Sequence, residues 1–236
     1  MNNTLFQAAA LIVPLIFAIV FHEVAHGWVA RALGDQTAYQ ARRLSLNPLR
    51  HVDPLGTIIL PGLLALVKAP VFGWAKPVPV NKWRLRNPRV GMMIVAAAGP
   101  ATNLILAGVG AVVLGLVLRP YSNGADASPA VGFIAASLMY FLTINIFLAL
   151  FNLLPIPPFD GSHILEGLLP RQAALRYARL RNAGFLIVLV VLVVLPHFIP
   201  KFDPIGWIVL PPVKWLTAHY LTLTAAIAGI ELPSGL

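Results

Sequence analysis

The chain has 236 residues, 58% hydrophobic and 11% charged, with a mean hydropathy of +0.82. A water-soluble domain carries about a quarter charged residues, so this composition excludes an ordinary soluble domain and implies a polytopic membrane protein. The absence of cysteine excludes disulfides and thiolate metal sites. The formal charge of +9 is spread over separate connections, so no nucleic-acid partner is expected.

The first apolar segment runs from about Leu5 to Leu33. The start MNNTLFQAAA has no basic n-region and no small-residue cleavage site, so this segment is expected to stay in the mature protein. A short apolar piece, GTIILPGLLALVK, follows from Gly56 to Lys68 with Pro61 inside it. Next comes GWAKPVPVN, Gly73 to Asn81, whose Gly73, Pro77 and Pro79 fit a helix poorly, so it reads as an extended strand or loop. Further apolar segments run from about Val90 to Leu118, Val131 to Leu154, Gly184 to Leu195 and Ile205 to Ile230.

Basic residues set the expected orientation. Lys and Arg concentrate between Arg31 and Arg50, between Lys68 and Arg89, and between Arg171 and Arg181, while the loop PYSNGADASPA has none. The three basic connections are therefore expected on the cytoplasmic side and that loop outside. Both flanks of Gly56 to Lys68 are basic, and the piece is short for a span of roughly 20 residues. It should be re-entrant or packed on the bundle, where non-helical backbone is tolerated only in protein or beside a wet cavity.

The chemistry concentrates in FHEVAHGWVA, Phe21 to Ala30. His22 and His26 stand four apart and share a helix face, so two imidazoles can hold one Zn²⁺. Glu23 lies about 100° round the helix, beside the metal but not aimed at it, placed to accept a proton from water there. Ionisable residues within a transmembrane segment are functional by default. A catalytic site needs a third protein ligand and an open position. Asp160 is the best candidate, in FNLLPIPPFDGSH, where Pro155, Pro157 and Pro158 break the helix and Gly161 permits a turn. The alternative for Asp160 is a plain N-cap of the following helix. By the orientation above, Asp160 and the histidine pair both lie near the cytoplasmic face.

HEVAH in an apolar helix, with NLLPIPPFDG far downstream, resembles the site-2 protease family of intramembrane zinc metalloproteases. The family pattern of HExxH and N-x-x-P-x-x-x-x-D-G falls here on Asn152, Pro155, Asp160 and Gly161. RLSLNPLRHVDPLGTIILP, Arg43 to Pro61, and AAAGPATNLILA, Ala96 to Ala107, look like the compact bacterial branch without a PDZ or CBS domain. The likeness extends to about Leu169; Phe159 departs from the Leu or Met common before the DG. The resemblance implies His22, His26 and Asp160 as ligands of one Zn²⁺ per chain and Glu23 as the catalytic acid/base.

The expected fold is an all-α membrane bundle of about five transmembrane helices, with a re-entrant segment and small extended or β-hairpin elements near the active site. One membrane-embedded domain is expected over residues 1–236, with a catalytic core over about 5–169 and two C-terminal spans over about 184–230. Pro77, Val78 and Pro79 are candidates for pairing with an unwound substrate, and Asn152 for bonding its backbone. The alternatives are a turn packed on the bundle and a helix–helix polar contact. Gly99, Pro100 and Asn103 read as packing residues, and His163 as a cap or a support to the ligands. The expected function is hydrolysis within or near transmembrane segments of single-span or signal-peptide-like substrates, in the lipid bilayer of a bacterial inner membrane, with no oligomeric state implied. One competing reading is a zinc protease acting on soluble or peripheral peptides such as signal-peptide remnants, which the sequence does not separate from the first; the other is a membrane zinc-binding or transport protein without hydrolysis. Glu23 argues against the transport reading, since transport needs no general base beside the ligands.

Overall fold

The computed structural model describes residues 3–59, 62, 63, 66, 75–199 and 201–230. Helix α1 runs Asn3–Ala32 and is apolar on every side, as a helix surrounded by lipid and protein must be. A short α2, Thr37–Gln40, follows, then a 3₁₀ turn at Pro48–His51 and a π-helical stretch at Pro54–Ile59. Helix α3, Pro88–Leu118, contains Pro100, and α4 covers Pro129–Asn152. Two short amphipathic helices come next, α5 at Asp160–Leu168 and α6 at Arg171–Ala178. Helix α7, Arg181–Leu189, continues through a π-helical turn, Val190–Val194, into α8, Leu195–Phe198. A second π-helical turn, Ile205–Val209, leads into α9, Leu210–Ala228, which ends on left-handed Gly229.

Four of these stretches are long and apolar enough to cross a membrane: Leu5–Ala32, Pro88–Tyr121, Pro129–Asn152 and Arg181–Phe198. The all-α expectation holds, since no strand occurs among the described residues. Residues 75–81 form neither helix nor strand, and no hairpin. Much of the expected re-entrant piece, Gly56 to Lys68, lies outside the described residues; of its start, Gly56 to Ile59 belong to the π-helical stretch.

The chain divides into two compact units. One draws on Met1–Ala18, Pro100–Phe151 and Ile205–Leu236. Its apolar helices are joined by a few buried polar contacts, the kind that lipid cannot replace. The Asn103 side-chain amide donates to Asn145 Oδ1 at 2.7 Å and to the Ala18 carbonyl at 3.2 Å. Thr224 Oγ1 donates to the Ala111 carbonyl and Tyr220 to that of Leu104, both at 3.0 Å, fixing α9 against α3.

The other unit draws on Ile19–Gly99 and Asn152–Pro204. Its core gathers Ala30, Leu85 and Val95. Residues 75–81 are tied down along their length. Lys76 N–H donates to the His51 carbonyl at 2.8 Å, and the Arg43 guanidinium donates to the Lys76 carbonyl at 2.6 Å. Asn81 N–H donates to Asp35 Oδ2 at 2.6 Å. Every residue of the chemistry considered below lies in this second unit.

Candidate metal centre

Helix α1 presents His22 and His26 on one side, with ring centroids 4.7 Å apart and planes at 88°. Both are buried, at 7% and 9% exposure. Helix α4 ends at Asn152, and the chain reverses through Ile156 N–H to the Leu154 carbonyl and Phe159 N–H to the Ile156 carbonyl. Tyr177 on α6 steadies this turn by donating to the Pro155 carbonyl at 2.7 Å. Helix α5 then starts with Asp160 as its first residue. The cap position belongs to Phe159, and no side chain caps the helix. The Asp160 carboxylate is therefore not consumed in capping. Its Oδ2 lies 3.1 Å from His22 Nε2 and 3.3 Å from His26 Nε2.

Gly161 serves a different purpose from the turn expected of it. A Cβ there would come within 2.1 Å of the Leu153 carbonyl oxygen, so glycine is needed for close approach rather than for a special φ.

These three residues could hold a metal ion, their ligand atoms lying within 4.8 Å of one another. Two further observations fit that role. Asp160 Oδ2 is buried and accepts no hydrogen bond, although it faces two imidazole nitrogens. Lone-pair atoms converge in this way when a cation is to sit between them, and donors bound tetrahedrally at about 2.0–2.2 Å lie roughly 3.3–3.6 Å apart. Second, Gly99 on α3 closes the same space. A Cβ at Gly99 would lie 2.5 Å from His22 Cε1 and from His26 Nε2.

The surroundings orient these groups. His26 Nδ1 donates to the Val95 carbonyl at 2.7 Å, which fixes the proton on Nδ1 and turns the Nε2 lone pair toward Asp160. Burial favours the neutral form of Asp160, but the neighbouring His22 and His26 prevail and hold its carboxyl at about 2. Glu23 is half-buried, and its Oε2 accepts from Val78 N–H at 2.9 Å. Segment 75–81 thus reaches the Glu23 carboxylate directly.

His163 lies beyond the ligand set. It faces Arg181 at 3.5 Å, and burial, then the Arg181 charge, keep its imidazole below the usual range. Asn152 sits half-buried at the end of α4.

Two residues gain a role that the sequence reading did not give them. Val95 is an unremarked position in an apolar run. Asp35 is 0% exposed and accepts from Thr37 N–H at 2.9 Å, Thr37 Oγ1 at 2.5 Å and Asn81 N–H. Burial favours its neutral form, but these hydrogen bonds, led by the Thr37 hydroxyl, hold its carboxyl below the usual range. The local signal was present: Asp35-Gln36-Thr37 after a helix end is an Asx turn. Its partner Asn81 was not readable from it.

Comparison with known proteins shows the family. The model of Peptidase family M50 matches residues 10–195. The protein named "Putative zinc metalloprotease YwhC" from Bacillus subtilis (strain 168) is 38% identical over 190 residues, covering 78% of this chain and 80% of that protein. Rip2 of Mycolicibacterium smegmatis carries the same designation and is 30% identical over 178 residues, covering 75% of this chain and 64% of its own length. MJ0611 of Methanocaldococcus jannaschii, again so designated, is 32% identical over 171 residues, covering 68% of this chain and 73% of its own length. No solved structure gives a significant match.

Proposed function

This chain belongs to peptidase family M50, the site-2 proteases, and is a zinc metalloprotease; from that premise we propose that it works inside the bilayer, cutting peptide bonds in or near the transmembrane segments of single-span or signal-peptide-like substrates. The observation that carries this reading is where the site is built. His22, Glu23 and His26 lie within Leu5–Ala32, a helix long and apolar enough to span a membrane. A protease for soluble substrates has no reason to place its ionisable residues there.

The assignment is one Zn²⁺ per chain, held by His22, His26 and Asp160. When bound, zinc supplies Lewis acidity to a peptide carbonyl and to water at the site. Glu23 is the acid/base. With Oε2 held by Val78 N–H, its other carboxylate oxygen takes a proton from the attacking water and returns it to the amide nitrogen as the C–N bond breaks. One water and one peptide bond thus yield a carboxylate and an amine.

A substrate helix must unwind first, because its carbonyls are already hydrogen-bonded. Residues 77–79 are proposed as the edge that receives it. Pro77 and Pro79 have no N–H, so substrate pairs there by donating its own N–H groups to their carbonyls. Asn152 is assigned to bond the substrate backbone. In the membrane we propose five spans, α9 and its π-helical lead-in being the fifth, in a bacterial inner membrane. The basic connections and the site then lie toward the cytoplasm.

The test is zinc content together with cleavage of a model single-span substrate, for the parent and for Glu23→Ala in detergent. Near-stoichiometric zinc in both, with cleavage only in the parent, is the expected result. Cleavage retained by Glu23→Ala would remove Glu23 from the chemistry, and zinc absent from both would remove the site.

A further inference from the structure

The second unit also contains a cavity of about 290 Å³ that takes no part in the chemistry above. It is lined by the turn at Lys82–Arg84, the first residues of α3, both amphipathic helices α5 and α6, and Arg181 at the start of α7. Four cations reach it: Lys82, Arg89, Arg171 and Arg181. Glu166 is the one carboxylate among the lining residues, and it is ion-paired with Arg181. No carboxylate lies within ion-pair distance of Lys82, Arg89 or Arg171 among the described residues. Burial and the Arg181 charge disfavour the cationic form of His163. The cavity thus carries three uncompensated positive charges.

The rest of the lining is apolar. Trp83 is 76% exposed and Leu175 63%, and Met92 lines the cavity with them. The position of the cavity accounts for this mixture. Pro88 and Arg89 open the span Pro88–Tyr121, and Arg181 opens the span Arg181–Phe198. Helix α6 lies between α5 and α7 in the chain as a short amphipathic helix with arginine on it and Leu175 exposed, the composition of a helix lying in the membrane interface. The cavity therefore stands at the level of the lipid head groups.

We propose that this cavity binds an anionic phospholipid, its phosphate held by Lys82, Arg89 and Arg171 and its acyl chain lying along Trp83, Met92 and Leu175. Basic pockets beside transmembrane helices take anionic head groups for this reason. A free phosphate would use the same cations but would leave the exposed apolar wall uncovered, which favours the lipid. The inference does not rest on the proteolytic reading and stands or falls apart from it.

The experiment measures lipid retained by the purified protein in detergent, by native mass spectrometry, with phosphatidylglycerol or phosphatidylcholine as the probe. The parent is expected to retain phosphatidylglycerol in preference. Each basic residue near a lipid surface contributes about fivefold, so Lys82→Ala/Arg171→Ala should weaken that retention about 25-fold. Arg176→Ala/Arg179→Ala removes the same charge from α6 and the residue following it without touching the cavity, and should leave retention unchanged. Equal losses in the two double variants would mean general surface attraction and overturn the site. Full competition by millimolar inorganic phosphate would mean a phosphate site and overturn the lipid. A second readout needs no charge variant: brominated phosphatidylglycerol should quench the parent's tryptophan fluorescence more than brominated phosphatidylcholine, and Trp83→Phe should lose that excess. No excess quenching in the parent would also sink the proposal.

Discussion

Gly99 shows how much a single missing side chain can decide. The two imidazoles and the carboxylate come from α1 and α5, but the wall that closes the space beside them is the bare backbone of α3. Gly99→Ala would place a methyl carbon 2.5 Å from His26 Nε2, closer than any real contact. Overpacking of this kind costs about 1–3 kcal/mol, and here the groups forced aside are the metal's own ligands. The expected outcome is a folded protein with zinc affinity lowered roughly 5- to 150-fold, read as zinc per chain after dialysis against a graded chelator. Gly132→Ala on α4 is the control, since a Cβ there meets nothing within 4 Å and should leave zinc retention at the parent level.

Asp35 makes the same point for hydrogen bonding. Asp35→Asn must set an NH₂ group against either the Thr37 or the Asn81 N–H, and an unsatisfied buried donor costs about 1–3 kcal/mol. The folded pKa of Asp35 is lowered, so its contribution is fully present above the unfolded value of about 3.9 and is lost as pH falls through the folded value. The stability gap between parent and Asp35→Asn, measured by thermal unfolding, should be full at pH 7 and close below about pH 4. A gap that persisted at low pH would mean that the carboxylate charge is not what holds Asn81.

At the scale of elements, segment 75–81 has the most to explain. It is fastened by Lys76 N–H on His51, Val78 N–H on Glu23 and Asn81 N–H on Asp35. Val78→Pro keeps an extended backbone but deletes the donor on Glu23. A hydrogen bond to a charged group contributes about 1.5–3 kcal/mol, so kcat should fall roughly 10- to 150-fold with zinc content unchanged. Val78→Ala, which keeps the N–H, should retain most of the rate. Equal losses in the two variants would show that the side chain, not the N–H, is what matters.

This element also marks the limit of what the sequence made legible. The His22/His26 pair follows from a four-residue spacing on one helix, and Asp160 from the prolines and glycine around it, because both signals are local. Prolines at 77 and 79 were enough to deny a helix there. Which carboxylates would receive its N–H groups was not readable, because Glu23 and Asp35 lie 55 and 46 residues away and meet the segment only after folding. Gly99 and the Val95 carbonyl were hidden for the same reason. Gly99 reads in the sequence as a packing residue, and its contact proves to be with the ligands themselves.

At the scale of the whole molecule, the two compact units differ in what holds each together. The first relies on apolar helices and a few buried polar contacts, Asn103 with Asn145 and Thr224 with Ala111. In the second, the ligand set joins α1 to α5, elements far apart in sequence, through three atoms that one cation would bind together. A ligand bound only by the folded state stabilises by about 4 kcal/mol at a thousandfold excess over its Kd. Removing the metal should therefore loosen the second unit selectively. After chelation, hydrogen exchange should accelerate over residues 154–168 and 75–81 and stay at the parent level over 103–115 and 213–228. Asp160→Ala should exchange like the chelated parent and gain nothing from added zinc. Uniform acceleration through all four stretches would mean that the two units lose stability together and that the metal is not a local fastening of α5 to α1.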